Sequence, residues 1–230
     1  MPYQYDTRTI THNTSFGFYS TITSDQATKA VTFGAPVEFT GLSGVKIETK
    51  QDYEDKYADG QVHVTVAGAE QVTGEIASLQ ISQKFWEDAL GRKVVSISGT
   101  SGGAKSLLNT GTRKAFVFVF AEDVTDEFNN ISSQWTILTN AKASVPTKEA
   151  ATDEDKISEV TYAVPLTITA NSAVLDADGK SVREITAVDD ATGTIQKLVD
   201  QLFGESPTLT MKEFIDAMVG KVPSVPGGGV

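Results

Sequence analysis

The sequence predicts a mainly β protein: an antiparallel β-sandwich or barrel with one short α-helix packed beside it and short helices near the C-terminus. Short segments that alternate apolar and polar residues with a period of two recur along most of the chain, as half-buried strands do. Turns join these segments, and helical segments of crossover length are missing between them, so the sheet is expected to be mostly antiparallel. The 230 residues suffice for one large β domain or two small ones.

The N-terminal residues 1–29 are rich in Thr, Ser, Asn and Tyr and have weak periodicity. We expect them to form an arm with one short strand around residues 15–22, which packs on its own domain or reaches a neighbour. Residues 30–40 predict the next strand, interrupted at Gly34 and Pro36, because proline confines a strand to a sheet edge or a bulge.

The most regular stretch, residues 44–91, predicts three strands followed by a short helix. The strands are assigned to residues 44–50, 61–67 and 72–81, and a polar, acidic loop (QDYEDKYADG) to residues 51–60. In the second strand valines at alternate positions share one face, which is typical of a half-buried strand.

The helix of this stretch is predicted from its two ends. Ser82 can cap its N-terminus, and Gly91 is the kind of residue at which helices stop. Between them Phe85, Trp86 and Ala89 are expected to be buried. We interpret Trp86, and likewise Trp135, as a core anchor, with a role at an interface as the second interpretation.

A central strand is predicted at residues 115–121, AFVFVFA, where phenylalanine and valine alternate so that both faces are apolar. Such a strand should be covered on both sides. Further strands are predicted at residues 93–98, 134–139 and 157–169, a hairpin at 172–187, and loops or turns at 98–111, 122–130 and 142–155.

The C-terminal part predicts helices. Thr192 can cap a helix that continues to Leu202, and Thr210 begins a second short helix with a Thr-Met-Lys-Glu capping box. The glycine-rich end predicts a flexible tail. The chain is accordingly divided into an N-terminal arm (1–29), a β-sandwich domain (30–190), a helical segment (191–220) and a tail (221–230).

Composition narrows the possible functions. The chain has no cysteine, which excludes disulfides and thiolate chemistry. No secretory signal is visible and no apolar run is long enough to span a bilayer, so we expect no membrane partner. The net charge of −11 argues against binding the outside of nucleic acid, because neutralising phosphates needs Lys and Arg. The acidity either keeps the protein soluble or forms a like-charged wall that DNA passes without sticking.

One segment resembles a phosphate-binding loop. Residues 99–106, GTSGGAKS, follow a predicted strand, but Ala104 stands where the motif needs the glycine before Lys105. A helix must also follow directly to hold phosphate at its N-terminus, and the next residues allow barely one turn. We therefore predict a hairpin loop and no nucleotide cofactor.

The remaining candidate sites also predict no chemistry. The segment 176–179 (DADG) lacks ligands at the ends of a calcium loop and predicts a turn. His12 and His63 are the only histidines and have no second ligand nearby in sequence, so no metal site is expected. No catalytic residues are predicted.

The order of elements carries a family resemblance. A strand, a long acidic loop, a strand, a third strand containing glycine and a helix ending in Leu-Gly resemble the major tail proteins of long-tailed, siphovirus-type bacteriophages. The resemblance continues into residues 114–122 and 134–169 and covers roughly residues 35–170.

That resemblance implies a structural virion protein with no enzymatic activity and no cofactor. In the family, β domains with a flanking helix form hexameric rings that stack into a hollow tail tube, through which DNA passes without specific binding. Its partners would be further copies of itself and other tail proteins, namely the terminator, the tape measure and the initiator. The subunit would be made in the host cytoplasm and reside in the virion.

The resemblance also assigns the 51–60 loop to contacts between rings, and the flanking strands 44–50 and 61–67 to the inner wall. Asp52, Glu54, Asp55 and Asp59 are the residues predicted to make inter-ring contacts or to charge the lumen.

An alternative interpretation is a monomeric β-sandwich binding module, either an adhesin or a carbohydrate-binding domain. Oligomeric state distinguishes the two, since a binding module predicts a stable monomer. An enzyme is a third class, but the sequence offers no acid–base constellation for it.

Overall fold

The computed structural model describes residues 8–25, 27–28, 30–97, 105–149, 161–204 and 206–221. Pairing among the described strands is antiparallel, which confirms the predicted mainly β class. In chain order the elements are β1 Thr9–Ser24, β2 Val31–Phe33, β3 Val37–Glu38, β4 Leu42–Lys50, β5 Tyr53–Ala58, β6 Gln61–Ala67, β7 Gln71–Ser78, α1 Gln83–Asp88, β8 Arg92–Ser96, β9 Lys105–Asn109, β10 Phe116–Asp126, β11 Ile131–Ala143, β12 Thr147–Glu149, β13 Thr161–Ile168, β14 Asn171–Leu175, β15 Ser181–Val182, β16 Glu184–Val188, α2 Thr194–Phe203 and α3 Met211–Met218.

Ten strands form one branched sheet in the order β2-β1-β10-β11-β13-β7-β4, to which β3, β12 and β16 are added at the sides. The branch lies in β11. Its first half pairs with β16 and its second half pairs with β13. At the switch between them, the Thr139 hydroxyl donates to the carbonyl of Val182 at 2.7 Å, and the Asn171 amide donates to the Thr139 carbonyl at 2.9 Å. These side chains satisfy backbone groups where the ladder divides.

Strand β10 separates two apolar cores. The phenylalanines of its alternating segment pack into one cluster with Tyr19, Phe39, Ile76 and Phe85, called here the sandwich core. The intervening valines pack into a second cluster with helices α2 and α3, called here the helix core. Residues 116–120 are at most 3% exposed. The predicted central strand, covered on both faces, is therefore confirmed.

Residues 9–24 pack on the domain itself, one of the two expected alternatives for the N-terminal arm, and their strand is longer than predicted. These residues form the 16-residue strand β1, which pairs with β10 over most of its length, and Phe18 and Tyr19 are fully buried. The short strand expected around residues 15–22 is the middle of this longer one. Polar residues dominate its exposed first half, where backbone pairing with β10 holds it without an apolar face. Residues 1–7 lie outside the described part of the chain.

Several predicted loops contain strand. Residues 105–109 of the predicted 98–111 loop form β9, paired with β8, whereas residues 98–104 lie outside the described residues. Strand β10 continues to Asp126 into the predicted acidic turn. Strand β11 continues to Ala143, and β12 forms within the predicted 142–155 loop, whose residues 150–155 are not described. In each case residues beyond the alternating apolar segment still form backbone hydrogen bonds with a neighbouring strand.

Pro165 lies in strand β13 at a place that suits proline. It is opposite Glu75 of β7, while on the other side the pairing with β12 ends at Ala163 and the pairing with β11 begins at Leu166. Proline has no N–H to donate to a ladder, so the gap between two partners accommodates it.

The N-terminal caps of helices α1 and α3 are as predicted, whereas α1 ends at Asp88, before the predicted stop at Gly91. Ser82 accepts a hydrogen bond from the Phe85 N–H at 3.2 Å, and Thr210 and Glu213 form a capping box. The chain leaves α1 through Gly91, whose φ is +66°. Most of the predicted tail, residues 222–230, lies outside the described residues.

The predicted cap of helix α2 is wrong. Its N-cap residue is Gly193, in a left-handed conformation that gives no side-chain bond, and Thr192 does not cap it. Two preceding carboxylates do this instead. Asp190 accepts from the Thr194 N–H at 3.1 Å, and Asp189 accepts from the Ile195 N–H at 2.8 Å. Negative charge at a helix N-terminus is also favoured by the helix dipole.

Candidate assembly surface

The segment predicted as an acidic loop is half of a β-hairpin. Tyr53–Ala58 forms β5 and pairs with β6, in a two-stranded sheet separate from the large one. The connection is Asp59-Gly60, with φ of +53° and +77°, as a two-residue turn between hairpin strands requires. Strand β6 therefore pairs with β5 and not with β4, which pairs with β7. We call residues 52–67 the acidic hairpin.

A closed neck joins the acidic hairpin to the large sheet. The Gly68 N–H donates to the Asp52 carbonyl at 2.7 Å, and the Gln51 side-chain amide donates to the Gly68 carbonyl at 3.2 Å. Pairing between β4 and β7 continues up to Lys50 opposite Gln71. The hairpin is thus an appendage whose two ends meet, and the sheet beneath it is complete without it.

The acidic hairpin exposes a row of valines. Val62, Val64 and Val66 occupy alternate positions along β6 and are 49%, 49% and 47% exposed, although their pattern predicted a half-buried strand. The pairing register shifts between Val64 and Val62. Tyr53 and Tyr57 on β5 are also exposed. An isolated two-stranded hairpin is marginally stable in water, and contiguous exposed apolar side chains mark interaction sites. This surface is therefore suited to burial against another molecule.

The four predicted site residues all belong to this hairpin. The Thr65 hydroxyl donates to Asp55 Oδ1 at 2.6 Å, and Glu54 forms an ion pair with Lys56. Asp52 lies at the neck and Asp59 in the turn. Four carboxylates and one lysine give the acidic hairpin a formal charge of −3 with neutral histidine.

Among the described strands, β4 is the end of the branched sheet and pairs with β7 alone. Its outward face places Lys46 and Glu48 opposite Glu75 and Thr73 along a shallow polar groove. Lys46 Nζ lies 2.5 Å from a Glu48 carboxylate oxygen, and this hydrogen bond and charge lower the pKa of Glu48. Lys50 Nζ lies 3.7 Å from the other Glu48 oxygen. The face is charge-balanced, and the strand offers unpaired backbone groups to another strand.

The tryptophans differ in setting. Trp135 is 1% exposed in the helix core, which confirms its prediction as a core anchor. Trp86 is half-buried against the sandwich core, with the Arg92 guanidinium 4.6 Å from its ring centroid. Such a cation–π contact positions the arginine on the strand that follows α1.

The described residues contain no group of three or more His, Asp or Glu side chains that could hold a metal ion. They also contain no helix long and apolar enough to cross a membrane. Lys105 and Ser106 belong to the segment that resembles a phosphate-binding loop, and they lie in strand β9, not at a helix N-terminus. Asp176 accepts from the N–H groups of Asp178 and Lys180, as in the predicted turn.

Sequence reasoning missed the hairpin, although a signal for it was present. Asp-Gly between two short segments is among the strongest signals of a two-residue hairpin turn. Here Asp59-Gly60 follows a segment whose polar composition suggested a loop. Tyr53 and Tyr57, four residues apart, were the remaining indication of a strand.

Comparison with known proteins identifies a matching family and a similar solved structure. One solved structure, the tail tube of SPP1, is 13% identical to the chain with a TM-score of 0.35, covering 85% of this chain and 87% of that one. No curated protein sequence matches the chain significantly. The sequence matches the family described as phage tail tube protein over residues 1–212, nearly its whole length. The chain therefore belongs to the phage tail tube protein family and is a structural subunit of the tail tube of a virion.

Proposed function

We propose that the chain assembles into hexameric rings that stack into a hollow tube, with the acidic hairpin of each subunit contacting the next ring. The observation that carries the proposal is the row of Val62, Val64 and Val66, nearly half exposed on a hairpin that stands outside the large sheet. Burying that row against another subunit would remove apolar surface from water and stabilise a hairpin that is marginal alone.

Within a ring, the open edge of β4 is the proposed place for sheet continuation. A strand at the end of a sheet pairs readily with another chain, and a closed ring leaves no edge unpaired. The proposed contact joins the β4 edge of one subunit to a different surface of the next. Repeating it gives a ring when the rotation that relates successive subunits adds up to a full turn. Residues 30–190, together with β1, are the proposed tube domain, and residues 191–220 cover its helix core.

The proposed passage of DNA needs no specific binding. Lys46 and Lys50 are paired with Glu48, so the β4 face has little free positive charge for phosphates. Asp52, Glu54, Asp55 and Asp59 would add negative charge wherever the hairpins line the lumen, and like charge keeps DNA from adhering. The proposed role is purely structural, without catalysis or cofactor, alongside terminator, tape-measure and initiator proteins.

The neck of the acidic hairpin permits a clean test. In a variant with residues 53–67 replaced by a short Gly-Ser linker, Asp52 and Gly68 are already adjacent, so β4 and β7 should remain paired. Negative-stain electron microscopy of the unaltered chain should reveal hollow tubes of uniform width. The excised variant should melt at a similar temperature and give single rings or monomers.

A point variant refines this test. Val64→Ser should impair stacking, whereas Val188→Ser, at a similarly exposed valine of β16, should leave it intact. An unaltered chain that stays monomeric at high concentration, even with an initiator supplied, would refute the proposal and favour a ligand-binding β-sandwich.

A further inference from the structure

A second hairpin stands outside the large sheet. Strands β8 and β9 pair only with each other among the described strands, and we call their residues 92–97 and 105–109 the basic hairpin. It is attached at Gly91, whose carbonyl accepts from the Thr110 N–H at 2.9 Å and from its hydroxyl at 2.5 Å.

The two faces of the basic hairpin differ. Val94 and Leu107 lie on the face that, with Trp86, lines a pocket beside helix α1. The opposite face carries Val95 and Leu108, which are 36% and 50% exposed. An apolar surface therefore remains outward on this hairpin too.

The basic hairpin also carries uncompensated positive charge. Arg92, Lys93 and Lys105 give it a formal charge of +3, and it has no carboxylate of its own. Lys93, opposite Leu108, lies on the exposed face, whereas Arg92 contacts Trp86 and Lys105 lines the pocket with Val94 and Leu107. Among the described residues, none of these three cations forms an ion pair, whereas Lys46 and Lys50 on the β4 face both contact Glu48. The basic hairpin is therefore a better acceptor for carboxylates than the β4 face is.

We propose that the acidic hairpin of one subunit docks its valine face on the exposed Val95–Leu108 face of the basic hairpin of a second copy. This inference rests on the proposed function and names the acceptor for its contact between rings. Both surfaces are apolar and partly exposed, and the hairpins that carry them have formal charges of −3 and +3 over all their residues. Complementary charge sets register and speeds encounter, while burial of the apolar rows supplies affinity.

The proposed contact has the symmetry that a tube needs. Donor and acceptor are different surfaces, so each subunit that docks its acidic hairpin still presents a free basic hairpin. Heterologous contacts of this kind propagate, whereas a contact between identical surfaces would stop at a dimer. One pair of hairpins per subunit therefore suffices to add ring after ring.

The absence of cysteine from the chain makes cross-linking specific. We would prepare Val64→Cys and Val95→Cys as separate variants, mix them, allow tubes to form and add a short bis-maleimide. A covalent dimer is expected in the mixture and not with either variant alone. Val188→Cys mixed with Val64→Cys is the matched control, since that exposed valine lies outside the proposed contact.

Charge reversal gives an independent measurement on the same contact. Combining Lys93→Glu and Lys105→Glu should reduce the Val64–Val95 cross-link and the yield of tubes. Combining Lys180→Glu and Lys197→Glu changes the net charge equally at exposed sites elsewhere and should affect neither.

The outcomes separate the two proposals. Tubes that form without the Val64–Val95 cross-link, or a Val64→Cys variant that cross-links efficiently to itself, would overturn the docking inference and leave the tube assembly standing. An unaltered chain that forms neither rings nor tubes would overturn both.

Discussion

Replacing Gly91 with alanine should destabilise the protein more than the same change at Gly111, although both glycines have positive φ. The angles are +66° and +74°. A left-handed conformation costs an L-residue about 1–2 kcal/mol, so this term is common to both variants.

The two sites differ in the space around the new Cβ. At Gly91 a Cβ would lie 2.1 Å from the carbonyl oxygen and 2.6 Å from the carbonyl carbon of Thr112, whereas at Gly111 it would meet nothing within 4 Å. Both Thr112 atoms belong to the backbone, so the added Cβ would force the neck of the basic hairpin to move. Overpacking of this kind costs about 1–3 kcal/mol. For a chain of this size that difference corresponds to about 2–12 °C in melting temperature.

Thermal unfolding followed by circular dichroism at pH 7 measures both variants against the unaltered protein. Gly91→Ala should also increase hydrogen exchange at the Thr110 N–H, which bonds to the Gly91 carbonyl at 2.9 Å. Equal melting temperatures for the two variants would refute the close approach of Thr112 as the reason for glycine at position 91.

Three further substitutions test the C-terminal helices. Phe214→Ala removes a fully buried ring from the helix core and should cost about 3–5 kcal/mol in urea denaturation; a cost below 1 kcal/mol would contradict that burial. Thr210→Ala breaks the capping box of α3 and should cost about 1 kcal/mol, whereas Thr210→Ser should retain most of it. Hydrogen bonds, chiefly from the Thr194 hydroxyl, lower the pKa of Asp190, so its contribution to stability is complete above about pH 4 and is lost as the pH falls toward its folded pKa. The melting temperatures of Asp190→Ala and the unaltered protein should therefore differ at pH 7 and converge in acid; a constant difference would exclude the ionised carboxylate as the cause.

The buried centre of the fold could be predicted from the sequence. At residues 116–120 both faces of the strand are apolar, a pattern that requires cover on both sides, and the structure supplies two cores. Helices α1 and α3 were predictable because their caps depend on residues three positions apart. These features depend on interactions between residues that are close together in the sequence.

Features that depend on distant partners were not predictable in the same way. Strand β1 is held by β10, about a hundred residues away in sequence, and its polar first half has no pattern of its own. The pairing of β4 with β7 across the acidic hairpin is equally non-local. Sequence reasoning located the four carboxylates on one surface feature and took that feature for a loop, because Tyr53–Ala58 packs on no core that would impose an apolar face.

The position of β10 between β1 and β11 has a mechanical consequence. Ladder bonds hold it along both edges, and apolar side chains fill both of its faces. Deforming the subunit there would disturb two strand ladders and two packed cores together. The acidic and basic hairpins, in contrast, are each attached at one neck. The subunit therefore has a rigid centre and two more flexible hairpins. A filament built from it should bend at the interfaces between subunits and not within the subunits.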